Sequence, residues 1–585
     1  MWCIPEVLLF TVVAATSMTI VHMLDFCHKV DSECQIQDIF LSGQQSRAQI
    51  INSRWNASVL NLIQNLDHFR VSNEKLKGAF PIDEVQGNAV RSVKNCIFSE
   101  SSPTPLKGPL RLAAVSKDVL EGLLDSDMAV TQSEDFLLYI SGGRRLPGSQ
   151  PLAHRYGGHQ FGYWAGQLGD GRAHLLGQYT NRKGDTWELQ LKGSGKTPYS
   201  RSGDGRAVIR SSLREFLGSE AMHFLGVPTS RAASLVVSDE LVLRDQFYDG
   251  NVRAERGAVV LRLAKSWFRI GSVEILSRSG ELDLLRKLLD FVIEEHFPSI
   301  KSDHSDKYLA FYSRVVNDTA HLIAQWTSVG FAHGVCNTDN FSLVSITIDY
   351  GPFGFMDSYN PGFVPNTSDD EGRYSVGQQA GVGLFNLDKL LDALRPLLTA
   401  GQQLAAERVL KGYADIYKAR IHQLFKAKLG LLGDDVEDDH IIALLLQVME
   451  DTQADFPLTF RQLSEASAPQ LHDRNFTQAW ALEDLSSHGL FADWLSMYLQ
   501  RLGRQSHDQD AKRQARMKGV NPRYVLRNWM AESAIRKAEM DDFSEVALLH
   551  RILSLPFITQ SSAEAAGYAA RPPRWAQRLK VSCSS

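Results

Sequence analysis

The amino-acid sequence predicts an α+β fold with a strand-rich front half and a helix-rich back half. Glycine is frequent between Arg91 and about Val236, where short apolar runs separate the glycines. After about residue 280, apolar residues instead recur at spacings of three and four, which is typical of helices. We therefore expect two lobes with a cleft between them.

The composition excludes several classes of protein. The 585 residues include 62 Lys and Arg and 67 Asp and Glu, so the formal net charge is −5. This balance lacks the basic footprint of a protein that binds duplex nucleic acid. Six cysteines without a CxxC pair are too sparse for a disulfide framework and form no structural zinc motif.

The N-terminal residues 1–85 are assigned to a targeting segment, an anchor or a poorly ordered extension. Residues 7–24 are mostly apolar, but Glu6 has the wrong sign for a secretory signal, and no Lys or Arg occurs before Lys29. Two interpretations stay open for this run. It is a membrane anchor or atypical targeting segment, or the start of the chain is misassigned.

The front lobe is predicted to span residues 86–280. Alternating or short apolar runs favour strands, and Ser211 and Ser212 offer an N-cap for a helix through Leu225. The loop before that helix is too rich in Gly and Ser for regular structure. The predicted strands cover residues 173–177, 187–192, 235–243 and 258–264.

The back lobe is predicted to span residues 281–545, with a C-terminal tail at 546–585. Apolar spacing of three and four carries this assignment. The predicted helices cover residues 281–298, 305–329, 388–428, 438–450 and 522–540.

A glycine-rich turn, GQLGDGR at residues 166–172, is the densest functional signal of the front half. Gly169 and Gly171 would let backbone N–H groups approach a phosphate, and Arg172 could fork onto it. An ordinary hairpin turn is the alternative. The spacing fits neither a dinucleotide-binding fingerprint nor a P-loop, because Gln190 stands where the P-loop needs glycine.

A strand lysine and a helix glutamate follow that turn. Lys192 ends a predicted strand and Glu215 lies on the next helix. Protein kinases hold nucleotide phosphates with such a pair. The alternative is an exposed pair of little energetic weight.

The strongest match lies in the back half, at HGVCNTDN (333–340). The separation of His333 from Asn340 is that of the kinase catalytic loop, although Val335 occupies the position of the catalytic Asp. Nine residues later, Asp349 begins a DYG sequence that resembles the kinase DFG element. Oxygen ligands from Asn340 and Asp349 suit Mg²⁺. His159 is interpreted as a hydrogen-bonded structural histidine.

Long segments of the sequence resemble the selenoprotein O family. They lie at residues 154–178, 187–232, 337–357 and 521–539. The resemblance implies a bilobed protein-kinase-like fold with a large helical C-lobe. It also implies a protein adenylyltransferase that uses ATP and Mg²⁺, with Mn²⁺ as an alternative, to transfer AMP to Ser, Thr or Tyr hydroxyls of protein substrates. The nucleotide would bind inverted relative to kinases, and the family suggests a mitochondrial location.

The resemblance also assigns roles to individual residues. Asp339 would be the proton acceptor that Val335 cannot be. Asn340 and Asp349 would hold the metal. Residues expected to contact the nucleotide are Gly169, Gly171, Arg172, Lys192 (held by Glu215), Asp204, Gly205, Arg262, Arg269 and Asp349.

Cys583 stands third from the C-terminus, where family members often carry selenocysteine. Val581 occupies the place of the usual neighbouring cysteine. A redox switch would therefore need Cys583 to pair with a distant thiol, such as Cys336 or Cys96, or with a thiol of a substrate.

Two other functions stay open beside AMP transfer. The first is ordinary γ-phosphoryl transfer by an atypical kinase. The second is a pseudokinase scaffold that binds nucleotide without catalysis. Val335 in place of the usual acid favours the scaffold, whereas the retention of Lys192, Asp339, Asn340 and Asp349 opposes it.

Overall fold

A sheet of nine strands organises the front half of the chain. The structure is a computed structural model that describes residues 62–505 and 508–582. Within these residues the sheet order is β1-β2-β4-β7-β8-β11-β10-β3, with β9 paired to β11; β1 and β2 are parallel and the other pairs are antiparallel. The strands are β1 (Ile82–Asp83), β2 (Phe98–Glu100), β3 (Leu110–Val115), β4 (Leu152–His154), β5 (His159–Gln160), β6 (Tyr163–Trp164), β7 (Ala173–Thr180), β8 (Thr186–Lys192), β9 (Ala207–Val208), β10 (Arg231–Asp245), β11 (Val252–Ala264), β12 (Phe331–Ala332) and β13 (Gly354–Phe355).

Helices flank the sheet and form most of the chain after residue 270. The described helices are α1 (Glu74–Ala79), α2 (Lys117–Gly122), α3 (Glu134–Ser141), α4 (Ile209–Phe224), α5 (Ile270–Arg278), α6 (Leu282–His296), α7 (Lys307–Ser328), α8 (Gln379–Leu394), α9 (Ala400–Lys411), α10 (Tyr413–Lys428), α11 (Asp438–Thr452), α12 (Phe456–Glu465), α13 (Ala468–His472), α14 (Trp480–Ser486), α15 (Phe491–Gly503), α16 (Asp510–Val520), α17 (Asn528–Ala538), α18 (Ser544–Leu553) and α19 (Ser561–Ala565). The predicted α+β class is confirmed.

Alternation along β8 and β11 separates an apolar face of the sheet from the face that carries the site. Leu189 and Leu191 of β8 pack into one core, which α2 and α3 cover. The side chains at 190 and 192 therefore project to the opposite face, since successive strand residues alternate. In β11, Val260 and Ala264 lie in the core beneath α4, so position 262 between them faces the same way.

Helix α4 begins two residues before the predicted N-cap. Strand β9 pairs with Gly257 and Ala258 of β11, and the chain passes from it directly into the helix at Ile209 without a side-chain cap. The predicted cap at Ser211 and Ser212 is therefore wrong. Tertiary pairing fixes this helix start, and local capping chemistry does not.

The predicted back-lobe helices are present with two corrections. The segment predicted as one helix over 388–428 is divided among α8, α9 and α10, with a 3₁₀ turn at Arg395–Leu397 and a break at Gly412. The helix predicted at 522–540 begins only at Asn528. Pro396 lies in the first of these breaks, and proline disfavours helix at the residue before it.

Residues 62–85 of the predicted extension 1–85 are folded in the structure. Residues from Leu62 onward belong to one folded unit, in which Leu76 and Phe80 are buried. The apolar run at 7–24 lies outside the described residues. In the described part of the chain, no helix is both long and apolar enough to cross a membrane.

A buried ion pair joins α4 to β10 and yields a first prediction. Glu220 accepts hydrogen bonds from Arg231 at 2.8 Å and from Ser116 at 2.8 Å. Although burial alone would raise the pKa of Glu220, the guanidinium of Arg231 lowers it to about 2. Glu220→Ala should cost about 3–5 kcal/mol of unfolding free energy at neutral pH, because the buried Arg231 loses its buried partner and keeps its ion pair with the half-exposed Asp118. Urea denaturation measures this.

The pH dependence follows from the lowered pKa. A depressed carboxyl pKa stabilises the fold above the ordinary value of 4.5, and that contribution is lost as the pH falls towards 2. The difference in unfolding free energy between wild type and Glu220→Ala should therefore shrink as the pH falls from 4.5 towards 2. The control is Glu295→Ala, which removes the partner of the more exposed Lys75. Equal destabilisation by Glu220→Ala and Glu295→Ala would contradict the stabilising role of the buried Glu220–Arg231 pair.

Candidate functional site

The site begins with an ion pair between strand β8 and helix α4. Lys192 Nζ lies 2.7 Å from Glu215 Oε2. Both side chains are largely removed from water, with exposed fractions of 12% and 4%. Burial lowers the pKa of Lys192, and the Glu215 carboxylate opposes that change. The pair is therefore a desolvated element of the site rather than an exposed surface contact.

Arg262 links that pair to the DYG loop. Its Nη1 lies 2.7 Å from Glu215 Oε1 and 2.5 Å from Asp349 Oδ1. The β8–β11 register places Gln190 directly opposite, and Gln190 Oε1 accepts from Arg262 at 2.8 and 2.6 Å. The guanidinium also stacks on the Trp267 ring at 4.3 Å. These contacts fix the orientation of Arg262 completely.

Arg269 holds the other side of the DYG loop. Its Nη1 donates to Asp349 Oδ2 at 2.7 Å and to the carbonyl of Asp339 at 2.8 Å. Its guanidinium stacks on Tyr156 at 4.2 Å. Its Nη2 is buried and has no hydrogen-bond partner within the described residues. This N–H group can donate a hydrogen bond to a further anionic oxygen.

Asp349 is the meeting point of three cations. Arg262 and Arg269 contact its carboxylate directly, and Lys192 Nζ lies farther away, at 3.5 Å from Asp349 Oδ1. Burial alone would raise the pKa of Asp349, but these cations hold it well below the usual range. Its backbone has φ of 58°, a left-handed conformation that Asp tolerates better than most residues. We refer to Lys192, Arg262 and Arg269 as the cation cluster.

The catalytic-loop segment lies against the DYG loop. His333 Nε2 donates to the carbonyl of Ile348 at 2.9 Å, which joins the two segments. Asn340 Nδ2 donates to the carbonyl of Val335 at 2.9 Å. This bond uses the amide nitrogen of Asn340, so its Oδ1 is the atom left to bind a cation.

Asp339 is 8% exposed and carries a free oxygen. Its Oδ2 accepts from Gln160 Nε2 at 3.2 Å, whereas Oδ1 has no hydrogen-bond partner in the described part of the chain. Burial raises the pKa of Asp339 to about 7, and the hydrogen bond from Gln160 opposes that rise. A carboxyl group with a raised pKa and an unused oxygen is suited to proton transfer.

The glycine turn packs tightly against Tyr199. A Cβ at Gly169 would lie 2.5 Å from the Tyr199 ring, and one at Gly171 would lie 2.8 Å from the carbonyl of Tyr199. Only glycine fits at these two positions. Arg172, next in the chain, lines a cavity together with Lys192 and Glu215.

Asp204 and Gly205 lie in a separate turn. The carboxylate of Asp204 pairs with Arg244 at 2.7 Å. Gly205 packs against the backbone of Gly195, where a Cβ would lie 2.2 Å from the carbonyl carbon. The structure shows no direct contact from Asp204 to Asp339 or Asp349 among the described residues.

The redox switch predicted for Cys583 stays a prediction. Cys583 lies outside the described residues. Cys336 is 1% exposed, and burial raises its thiol pKa, so it is a poor nucleophile. Cys96 is half-buried, and burial raises its pKa too. Val581 pairs with Asn366 and lines the same cavity as Lys192.

Oxygen donors at the site suit a divalent cation. Asn340 and Asp349 provide an amide oxygen and a carboxylate, the hard ligands that Mg²⁺ prefers alongside phosphate and water. No group of three or more His, Cys, Asp or Glu side chains with metal-binding geometry occurs in residues 62–505 and 508–582. An amide oxygen and a carboxylate fit a hard divalent cation that takes phosphate and water as further ligands.

Sequence reasoning missed three polar residues of the site, of which Gln190 and Asp170 are buried. Gln190 orients Arg262, and its Nε2 donates to Asp170 at 3.0 Å. Burial raises the pKa of Asp170 to about 6. Gln160 contacts Asp339. Gln190 could have been found, because it lies two residues before Lys192 and so faces the same way in a strand. His159, predicted to be structural, is hydrogen bonded to Glu274 at 2.5 Å.

Comparisons with known proteins agree on one family. A family model described as protein adenylyltransferase SelO matches residues 91–554. Protein nucleotidyltransferase YdiU of Azoarcus sp. (strain BH72) is 44% identical over 509 residues, which cover 86% of this chain and 96% of that protein. The YdiU protein of Xanthomonas campestris pv. campestris (strain B100) is 44% identical over 525 residues, covering 89% and 99%. That of Azotobacter vinelandii (strain DJ / ATCC BAA-1303) is 43% identical over 484 residues, covering 83% and 95%.

These relatives correct one prediction. They are proteins of bacteria, so the mitochondrial location expected from the family resemblance is wrong.

The shared role of Arg262 yields a second prediction. Arg262→Met removes the donor that Gln190, Glu215 and Asp349 share. Glu215 keeps Lys192 and Asp349 keeps Arg269, but the buried Gln190 Oε1 loses the donor of both its bonds. We expect a loss of about 1–3 kcal/mol in unfolding free energy without nucleotide. Chemical denaturation measures it. The matched control is Arg286→Met, since Arg286 is half exposed and pairs only with Asp283. A stability equal to that of the control would contradict this role.

Proposed function

The chain belongs to the protein adenylyltransferase SelO family and is a protein nucleotidyltransferase, and from that premise we propose that it transfers AMP from ATP to Ser, Thr or Tyr hydroxyls of proteins. The observation that carries this proposal is the position of the cation cluster beside Asp339. A polyphosphate site and a proton acceptor are the two parts that AMP transfer to a hydroxyl requires.

The charge balance of the cluster supports a polyphosphate ligand. Three cations face two carboxylates, Glu215 and Asp349, so one positive charge is left in excess. Burying an excess charge is costly unless a counter-charge is supplied. Phosphate oxygens supply that counter-charge, and the unpartnered Nη2 of Arg269 provides a donor for one of them.

Asp339 is the proposed proton acceptor. Val335, at the usual position of the catalytic Asp, has no proton-accepting atom. The free Oδ1 of Asp339 accepts the proton as the substrate hydroxyl oxygen attacks the α-phosphorus. The bond between the α-phosphorus and the bridging oxygen breaks, and pyrophosphate leaves with that electron pair. The cation cluster stabilises the negative charge that develops on the leaving group.

Asn340 and Asp349 are the proposed metal ligands. Mg²⁺, or Mn²⁺ in its place, would neutralise phosphate charge when bound with ATP. Asn340 offers its Oδ1, because Nδ2 is committed to Val335. Asp349 becomes available when phosphates take over some of its present contacts with the cation cluster.

The remaining nucleotide contacts are proposed from position. The tight packing at Gly169 and Gly171 and the place of Arg172 beside Lys192 support a phosphate-binding turn. Asp204 and Gly205 are proposed to face the nucleotide from the neighbouring turn, with Arg244 as the present partner of Asp204.

We also propose the bilobed kinase-like arrangement, with the lobes meeting near residue 280 and the C-lobe ending near 545. The order of glycine turn, strand lysine, helix glutamate, catalytic loop and DYG loop supports it. Along the chain, β11 is the last strand of the large sheet, and helices dominate after Ile270.

ATP labelled separately at the α- and γ-phosphates tests the reaction directly. We expect label on a protein acceptor from the α position and none from the γ position, with release of pyrophosphate. Asp349→Ala should abolish transfer and metal-dependent ATP binding. Transfer of the γ label alone would identify a kinase. Metal-dependent ATP binding without transfer of either label would identify a pseudokinase scaffold.

The role of Asp339 yields a separate prediction. Asp339→Asn should lower kcat by about 10²- to 10⁴-fold, the usual contribution of a positioned base. The dissociation constant of ATP should change little, because Arg269 of the cation cluster contacts the backbone carbonyl of Asp339, which the substitution keeps. Asp283→Asn, at an exposed site, is the control. A kcat for Asp339→Asn equal to that of the control would refute the assignment.

A further inference from the structure

A short segment, residues 158–161, lies along the catalytic loop residue by residue. The backbone N–H of His159 donates to Thr338 Oγ1 at 2.7 Å. The backbone N–H of Phe161 donates to Asn337 Oδ1 at 3.2 Å. One hydrogen bond on each side of position 160 therefore fixes the segment against the loop.

The middle residue of that segment contacts Asp339. Gln160 Nε2 donates to Asp339 Oδ2 at 3.2 Å. A Cβ at Gly158 would lie only 2.8 Å from Asp339 Oδ1, so glycine there is required for the close approach. Of the two carboxylate oxygens, Oδ2 is bound by Gln160 and Oδ1 has no partner within the described residues.

We propose that Gln160 is a positioning residue for AMP transfer, which binds Oδ2 of Asp339 and so presents Oδ1 to the acceptor hydroxyl. The proposal rests on the proposed role of Asp339 as proton acceptor. Gln160 acts through Asp339, to which its amide donates. A neutral amide suits this task, because it donates a hydrogen bond without adding a charge that would compete with the cation cluster.

The support of Gln160 is itself rigid. His159, the preceding residue, donates from Nδ1 to Glu274 Oε1 at 2.5 Å, and both side chains are buried. Glu274 lies on α5, whose first turn follows Arg269. The segment that carries Gln160 is therefore tied both to the catalytic loop and to the helix that follows the cation cluster. Fixed supports of this kind hold a reacting group in its productive geometry.

Loss of the amide should therefore reduce the rate more than it reduces substrate binding. We expect Gln160→Ala to lower kcat by about 10- to 100-fold, since small misplacements of reacting groups cost factors of this size. The KM for ATP should stay unchanged. Gln160→Met, which keeps the bulk of the side chain without the donor, should have the same effect and replaces the alanine variant if that variant does not fold.

A double-mutant cycle separates positioning from an independent contribution. In the Asp339→Asn background, Gln160→Ala should lower the residual kcat by less than about threefold, because the group that Gln160 positions is already lost. The assay follows transfer of α-labelled AMP to a protein acceptor, and melting temperatures check folding. A loss of less than about fivefold in the wild-type background, or of about threefold or more in the Asp339→Asn background, overturns the proposal.

The controls distinguish this inference from the proposed function. Gln86→Ala removes an amide-to-carboxylate bond of similar length, from Gln86 to Glu100 at 3.3 Å, and should leave kcat unchanged. If Asp339→Asn abolishes transfer while Gln160→Ala does not reduce it, only the inference fails. If Asp339→Asn keeps wild-type activity, or no α label is transferred, the proposed function fails and the inference fails with it.

Discussion

Sharing two carboxylates among three cations is the constraint on which the rest of the site depends. Glu215 and Asp349 form ion pairs with Lys192, Arg262 and Arg269 in a place that water scarcely reaches. Unpaired, each of these charges would cost several kcal/mol to bury. The fold must therefore bring one helix, two strands and one loop to the same point. A ligand with several negative charges can then replace part of this internal pairing without any large rearrangement.

The sheet supplies the accuracy that this sharing requires. Neighbouring strands β8 and β11 place Gln190 opposite Arg262, and strand alternation sends the apolar neighbours of both residues into the cores. A shift of one residue in either strand would bury the charges in an apolar core and expose leucines at the site. The same packing that stabilises the fold therefore also fixes the register of Gln190, Lys192 and Arg262.

The sequence allowed prediction of those parts of the site that follow a motif, and not of those that follow tertiary contacts. Lys192, Glu215 and Asp349 were found because their order along the chain is itself a pattern. Gln190 bonds to a residue 72 positions away and Gln160 to one 179 positions away, separations that no local pattern records. The start of α4 was missed for the same reason, since β9 pairs with a strand about fifty residues later.

The position of the nucleotide phosphates is the most direct test of the account. A crystal structure with Mg²⁺ and a non-hydrolysable ATP analogue should place the β- and γ-phosphates on Lys192, Arg262 and Arg269. The α-phosphorus should be the phosphorus nearest to Asp339, with Oδ1 of that carboxylate facing it across the place of the acceptor hydroxyl. A γ-phosphorus nearest to Asp339, with the α-phosphate on the cation cluster, would contradict the account.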